Sequence, residues 1–521
     1  MTPIRTAVGP PAASARGWWI AAAAFIVAGL GTAAWLAAVT PPAFPFGDVA
    51  IIEITTAAAL REPVMLGPYS QFGWHHPGPL LFYLLAPFYA AAGANSIGLA
   101  VGAIVLNLLA LGVTGRTLAR HAGPAVAATV VLALGLCLLR AGDLATSVWN
   151  PHLIVLPLVA AMVLAAAAGA GDGPARVGTV VAVSFLAQSS VSVVPVCAVV
   201  AVAGIGWPPT SATSVHRRWI VGAASLGLLL WLPPLVDQAT YQPGNITSLA
   251  RFFVSAPSDG QTWRVAVLAW SDITTAMLRP GVELPWGQTF ARQGSPATVV
   301  IAVAQVLLLV AAAVWARRRG HRVLSRLAWL TALVSLVACW SITRIARDIS
   351  DYQIFWMSAV GALGVALVAG AVALAATADA PGRRRALAGS FGMLTALALA
   401  VTVPGGLARA RQYAVTQRDQ QAPRRVVALA TVEYLRRERL ARPLFRMNVT
   451  SWLQAAGVVL HAYRELPGVA VARDWVPVFG EALQPDGSED VELEIGGGCP
   501  AGRAIVARAD GLCVFVAEPA R

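Results

Sequence analysis

The sequence has no lysine and few charged residues of either sign. All 38 basic residues are arginine, and charged residues form 12% of the chain against 57% that are hydrophobic. Together with a mean hydropathy of +0.67, this composition excludes an ordinary soluble globular protein and indicates a polytopic membrane protein. The net charge of +13 does not indicate nucleic-acid binding, because the arginines form short clusters between apolar runs, as cytoplasmic loops of membrane proteins do.

Familiar enzyme motifs are also missing. The chain contains no P-loop, no GxGxxG motif after a strand, no HExxH and no GxSxG. The sequence therefore gives no sign of ATP coupling or of serine-hydrolase chemistry. It also shows no internal repeat of the kind that indicates an inverted-repeat transporter.

Cysteine is scarce, and its positions separate two environments. Cys137, Cys197 and Cys339 lie inside apolar runs, where they are expected to be small core residues. Cys499 and Cys513 lie in the polar C-terminal part. A disulfide between them fits an oxidising compartment, and the sequence alone leaves the bonded and free states equally open.

Long apolar runs predict about eleven membrane-spanning helices, because one span needs about 20 apolar residues. The predicted spans cover 18–39, 97–117, 123–140, 151–170, 177–188, 190–206, 219–236, 297–316, 323–342, 352–376 and 386–408. The short pair 177–188 and 190–206 fits either two helices that meet at Gln188, Ser189 and Ser190 or one bent helix. Two helices are preferred because this count keeps the arginine clusters on one side.

The arginine clusters predict the orientation of these spans. With eleven spans, all the arginine clusters fall on one side of the membrane. Their positions are 5, 16, 116, 120, 176, 217–218, 317–319, 322, 326 and 383–385. That side must be cytoplasmic, so residues 1–17 are predicted inside and the C-terminal region outside. This count requires the apolar segment 77–93 to lie at the outer interface without crossing, with Pro77 in the first turn of a helix.

The composition changes near residue 420. Residues 18–410 are predicted to form the transmembrane domain, with outer loops at 40–96 and 237–296. Residues 420–521 show short strand patterns, turns, and a helix that begins at the capping box of Ser451 and Gln454. The predicted fold is an all-α polytopic membrane protein with a small C-terminal α/β extracytoplasmic domain.

Asp48 is the first candidate for chemistry, just beyond the first predicted span. A lone carboxylate beside a bilayer is costly unless it is solvated, paired or used. It precedes the run VAIIEITTAAAL, so it fits the N-cap of a helix. It also fits a catalytic group at the start of that helix, and the two roles are compatible.

The stretch YSQFGWHHPGPLLFYLLAP at residues 69–87 combines two histidines with a Pro-Gly-Pro step. His75 and His76 fit either polar caps of the following helix or groups that contact a phosphate. Adjacent histidines on a regular element cannot point the same way, so a metal pair is not expected.

Two further outer loops are polar. The loop before the fourth span contains Asp143 and Asn150, and the loop at 343–356 contains Arg344 and Arg347. Arginines in outer loops are unusual, because Lys and Arg are normally in excess in cytoplasmic loops. Their presence suggests that they hold an anionic headgroup through forked hydrogen bonds. Pairing with the aspartates of their own loop explains them equally well.

These features together resemble the GT-C superfamily of membrane glycosyltransferases. Within it, the chain is similar to the branch of protein O-mannosyltransferases and lipid A aminoarabinose transferases, in an actinobacterial form, over about residues 15–380. The resemblance rests on three features: Asp48 just after the first predicted span, the motif HHPGPL, and the C-terminal extracytoplasmic domain. The resemblance implies a polyprenyl-phosphate sugar as donor and transfer outside the cytoplasmic membrane, usually with inversion.

Carried over to this sequence, the resemblance makes Asp48 the base that deprotonates the acceptor hydroxyl. Arg344, Arg347 and His76 become candidates for holding the lipid phosphate. The remaining substrate-binding candidates are Glu53, Tyr69, His75, Asp143, Asn150 and Tyr352. This sequence departs from relatives that have adjacent Asp and Glu, since Val49 follows Asp48, and its HPGP replaces the commoner HPP.

The predicted function is transfer of a sugar from a polyprenyl phosphate to a cell-envelope glycan, lipid or protein. The protein is predicted to be a multi-pass protein of the cytoplasmic membrane. It is expected to contact membrane lipid and no nucleic acid. No cofactor beyond the lipid-linked sugar is implied, and a divalent metal is left open. Two alternatives remain: a lipid or solute transporter or flippase, with Asn107 as a polar residue inside a span, and a catalytically inactive GT-C-like assembly partner.

Overall fold

The computed structural model describes residues 44–141, 144–206, 214–254, 260–279, 294–377, 415 and 418–517. The predicted first and last spans, 18–39 and 386–408, and the candidate Asp143 lie outside the described residues.

The membrane part of the described chain is helical. Its helices are α1 Gly47–Ala58, α2 Leu80–Ala91, α3 Ser96–His121, α4 Pro124–Arg140, α5 Asn150–Leu153, α6 Val155–Gly169, α7 Gly173–Ser189, α8 Val194–Gly204, α9 Ser214–Thr240, α10 Asn245–Val254, α11 Trp263–Thr274, α12 Pro296–Arg318, α13 Arg322–Ile342, α14 Asp351–Ile354 and α15 Met357–Thr377. A short hairpin of β1 Tyr69–Ser70 and β2 Trp74–His75 lies between α1 and α2.

Six helical segments of the described chain are long and apolar enough to cross a membrane. They are Ser96–His121, Asn150–Gly169, Arg217–Thr240, Pro296–Arg318, Arg322–Ile342 and Asp351–Ala376. Each coincides with a predicted span, which confirms a multi-pass membrane protein. The full number of spans stays a prediction.

The short pair of predicted spans is confirmed as two helices. Helix α7 ends at Ser189, Ser190 is extended, and a 3-10 turn over Val191–Val193 leads into α8. The break exposes backbone groups of residues 188–191 to neighbouring loops. It therefore becomes a place where other segments are held by hydrogen bonds.

Helix α2 begins later than predicted. It starts at Leu80 with Pro79 as N-cap, so Pro77 is outside the helix. The reason is tertiary, because the backbone N–H of Gly78 donates to the Gln188 carbonyl at 3.3 Å and keeps this segment out of the helix. With 12 residues, α2 is about 18 Å long, well short of the roughly 30 Å hydrocarbon core.

Two of the described loops that the arginine pattern assigns to one side of the membrane, around residues 120 and 172, meet at one end of the helical bundle. The Asp172 carboxylate contacts His121 Nε2 at 2.8 Å and Arg120 at 3.7 Å. The guanidinium of Arg326 packs against Gly169 at the same end. Which end is cytoplasmic stays a prediction.

The C-terminal domain is α/β, as predicted. Its elements are α16 over 418–437, β3 Pro443–Met447, α17 Trp452–Glu465, β4 Ala470–Val471, α18 Val476–Phe479, β5 Val491–Gly496, β6 Ile505–Ala509 and β7 Leu512–Val516. The sheet order is β4-β3-β5-β7-β6, with β3 parallel to β4 and β5, and β7 antiparallel to its neighbours. The Cys499–Cys513 disulfide is present and ties the segment before β6 to β7.

Helix α1 belongs to two hydrophobic cores at once. Ile52 and Ala57 pack into the core of the membrane domain. Ala50, Ile51 and Ile54 pack into the core of the C-terminal domain. The helix that carries Asp48 is therefore placed by both domains.

Candidate active site

Asp48 lies in the first turn of α1 and points to the loop that precedes α5. Its Oδ2 accepts a hydrogen bond of 2.8 Å from the indole Nε1 of Trp149. Burial raises the pKa of the Asp48 carboxyl, and the bond from Trp149 lowers it in part. Phe46, and not Asp48, is the N-cap of the helix, so the capping alternative does not occupy this carboxylate.

Aromatic side chains form one wall beside Asp48. The rings of Trp149 and Tyr352 lie 5.5 Å apart, and His152 packs edge-on against Trp149 at 4.9 Å. The Tyr352 hydroxyl accepts a hydrogen bond of 3.1 Å from Gln71 Nε2 at the tip of the β1–β2 hairpin. The predicted candidates Asp48 and Tyr352 are thus brought together by residues from four distant segments.

The break between α7 and α8 holds two more predicted residues close to this site. Asn150, next to Trp149, donates from Nδ2 to the Ser189 carbonyl at 2.8 Å. His76 Nδ1 accepts from the Val191 backbone N–H at 3.1 Å. Burial lowers the pKa of His76 to about 3, so its ring is neutral. Because Nδ1 is the acceptor, the ring proton is assigned to Nε2.

His75 turns away from His76 and supports the hairpin. Its Nδ1 lies 3.0 Å from the Gly67 carbonyl, and its ring packs edge-on against Tyr69 at 5.0 Å. Burial also lowers the pKa of His75. Its backbone N–H and carbonyl both bond to the side-chain amide of Asn245 at 2.9 Å, which ties the hairpin to α10.

The Pro-Gly-Pro step has a packing reason. A Cβ on Gly78 would lie 2.2 Å from Gln188 Oε1, and one on Gly67 would lie 2.7 Å from the Gly78 carbonyl oxygen. Only glycine permits this close approach of the loop to the helix break. The glycines thereby bring His76 to Val191.

Glu53 does not share the surroundings of Asp48 beside Trp149. Its side chain is fully buried, and its oxygens accept from Ser96 Oγ at 2.7 Å, Tyr89 Oη at 3.2 Å and Arg464 Nε at 2.9 Å. The structure thus places this predicted binding residue in the joint between the two domains.

Arg344 and Arg347 are exposed on the loop between α13 and α14. The backbone of this loop is held by Gln261, which donates to the Ile345 carbonyl at 3.3 Å, and by a β-bridge between Gly260 and Ala346. In the described chain, neither guanidinium forms an ion pair with the aspartates of the loop. Pairing within the loop therefore does not explain these two cations.

Over the described ranges, no group of three or more His, Cys, Asp or Glu side chains converges.

Sequence reasoning did not predict three residues that organise this region. Trp149 lies in the polar loop motif VWNPH, and Asn245 begins an Asn-Ile-Thr sequence that resembles a glycosylation site. Arg464, which bonds to Glu53 across 411 positions, has no local signal. The roles of these three side chains become visible only from their burial and from the residues to which they bond in the folded chain.

No family model and no curated protein matches the sequence. The structure is similar to ArnT from Cupriavidus metallidurans. The apo structure aligns with a TM-score of 0.53 at 14% identity, and the structure bound to undecaprenyl phosphate with 0.56 at 15%; both cover 96% of this chain and 98% of ArnT. A weaker match, with a TM-score of 0.43 and 12% identity, is the oligosaccharyltransferase AglB from Archaeoglobus fulgidus, covering 88% of this chain and 66% of AglB.

The ArnT matches extend over both domains, so they concern the whole arrangement and not one helical segment. The resemblance predicted from the sequence is confirmed at the level of the fold: the chain has the fold of ArnT, with its C-terminal domain included.

Proposed function

We propose that the protein transfers a sugar from a polyprenyl phosphate to an acceptor hydroxyl of the cell envelope, on the outer face of the cytoplasmic membrane. The observation that carries this proposal is Asp48, a carboxylate of raised pKa that is oriented by Trp149 and not used as a helix cap. The match to ArnT bound to undecaprenyl phosphate supports the lipid-linked donor.

The proposed reaction is a single displacement. The Asp48 carboxylate takes the proton of the acceptor hydroxyl while that oxygen attacks the anomeric carbon. The bond between the anomeric carbon and the phosphate oxygen breaks, so the polyprenyl phosphate leaves with its electron pair and the anomeric configuration inverts. A carboxylate whose pKa is raised is the better base for this step.

Cationic and polar groups near the leaving phosphate lower the barrier by stabilising the developing charge. Arg344 and Arg347 fit this role because they are exposed on the proposed outer loop that leads into α14, the helix of Tyr352. His76 contributes its Nε2 proton as a neutral donor. A lipid phosphate leaving group needs no nucleotide site, and the proposed reaction uses no cofactor beyond the donor.

Asn107, the polar residue inside a predicted span that was noted for the transporter alternative, has a structural role. It donates from Nδ2 to the carbonyls of Leu144 and Ala145 at 3.4 and 3.2 Å and so fixes the loop that precedes Trp149. An Asp48 carboxylate used as a helix cap would favour the inactive-partner alternative, whereas the N-cap is Phe46.

The test is transfer from radiolabelled polyprenyl-phosphate sugars in membranes that contain the wild type, Asp48→Asn or Asp348→Asn at equal abundance. Asp348 is an exposed acid of the outer loop and serves as the matched control. We expect Asp48→Asn to lose roughly 100-fold or more, as removal of a general base does, and Asp348→Asn to stay within about twofold of the wild type. Equal transfer by the wild type and Asp48→Asn would remove Asp48 from the reaction.

A further inference from the structure

The C-terminal domain holds the helix of Asp48 through a close helix–helix contact. A Cβ on Gly457 of α17 would lie 2.5 Å from the Phe44 ring, and a Cβ on Gly47 of α1 would lie 2.6 Å from Leu453. The backbones therefore approach at two glycines, one on each side. This contact fixes the start of α1, immediately beside Asp48.

A charged contact fixes the same helix further along. Arg464 at the end of α17 reaches Glu53 with Nε at 2.9 Å and also contacts it through a second guanidinium nitrogen. Glu53 is fully buried, and its other bonds come from Ser96 and Tyr89 of the membrane domain. A buried carboxylate that loses its cation is strongly destabilised, so this pair holds the two domains in one arrangement.

The two contacts act on one rigid element. Glu53 follows Asp48 by five residues on α1, which is about 7.5 Å along a helix. Glu53 faces the domain joint, whereas Asp48 faces Trp149 of the membrane domain. A tilt or rotation at Glu53 therefore moves the carboxylate of Asp48 relative to Trp149 and to any bound substrate.

We propose that Arg464 is a positioning residue for the transfer reaction, and that the C-terminal domain completes the active site by holding α1 through the Glu53–Arg464 pair. The inference rests on the proposed role of Asp48. It assigns the C-terminal domain a part in turnover without requiring that any of its residues contact the reacting atoms.

The experiment compares Arg464→Met, Arg464→Lys and the control Arg436→Met in the full-length protein. Arg436 belongs to the same domain and forms an ion pair with Glu465, but its side chain is 60% exposed. Three quantities are measured: turnover of the labelled donor, affinity for undecaprenyl phosphate, and hydrogen exchange of peptides that cover 47–58.

We expect Arg464→Met to lower turnover about tenfold or more, since small displacements of a reacting group cost that much. Affinity for undecaprenyl phosphate should stay within about twofold, and exchange over 47–58 should rise. Arg464→Lys, which keeps the charge but not the fork, should recover part of the turnover, and Arg436→Met should behave as the wild type.

The double variant Glu53→Gln with Arg464→Met separates positioning from stability. It removes the unpaired buried charge, so the melting temperature should recover relative to Arg464→Met, while turnover stays low. Recovery of turnover together with stability would overturn the proposal, and so would unchanged exchange over 47–58 in Arg464→Met. If the wild type transfers no sugar, the proposed function fails by itself, and the exchange measurement still decides whether Arg464 holds α1.

Discussion

Replacing Trp149 by phenylalanine tests the chemistry of Asp48 most directly. The substitution keeps an aromatic ring beside Tyr352 and His152 but removes the indole N–H that donates to Asp48 Oδ2 at 2.8 Å. That bond lowers the pKa of the Asp48 carboxyl against the larger effect of burial. Without it, the pKa of Asp48 rises further.

The sign and size of the kinetic effect follow from this bond. Asp48 works as a base only when it is ionised, so activity is present above its pKa and is lost as the pH falls through it. A hydrogen bond to a charged acceptor contributes about 1.5–3 kcal/mol, and about 1.4 kcal/mol corresponds to one pH unit. Because Trp149 is half-buried and water replaces part of the bond, we expect the acidic limb of the profile to move upward by about one pH unit.

The assay is kcat/KM for labelled donor as a function of pH in the wild type, Trp149→Phe and Trp270→Phe. Trp270 donates from Nε1 to Ser335 at 3.1 Å inside the membrane domain, so its variant removes an equivalent N–H away from Asp48. The Trp270→Phe profile should keep the wild-type acidic limb. An acidic limb that does not move in Trp149→Phe would refute Asp48 as the titrating base or Trp149 as its partner.

Two further predictions concern the scaffold around the site. Gly78→Ala forces a Cβ into Gln188 Oε1 and should cost about 1–3 kcal/mol of stability by overpacking. This loss should appear as a lower melting temperature. Gly112→Ala, with open space at that position, should not lower the melting temperature. Replacing Cys499 and Cys513 by serine removes a crosslink over 14 residues and should lower the free energy of unfolding by about 3 kcal/mol; an unchanged unfolding midpoint under non-reducing conditions would show that the disulfide does not stabilise the chain.

The sequence by itself determined the features that depend on local pattern. Apolar runs of sufficient length predicted all six helices of the described ranges that can cross a membrane, because the bilayer sets the length and polarity of each span independently of its neighbours. The break at Gln188 to Ser190 was predicted because two helices there keep the arginine clusters on one side, and the strands of the C-terminal domain were predicted from strand patterns and turns. The importance of Asp48 was predicted from its position just outside a span.

The tertiary structure decided which side chains meet. Trp149 bonds to Asp48 across 101 positions, and His76 to Val191 across 115. Glu53, predicted as a substrate contact because it is the acid nearest to Asp48, instead bonds to Arg464 across 411 positions. Local patterns fix the period and length of an element, but the partner of a side chain depends on how the elements pack. The different surroundings of Asp48, the proposed base, and of the buried carboxylate Glu53 are therefore set by the contact of α1 with two domains.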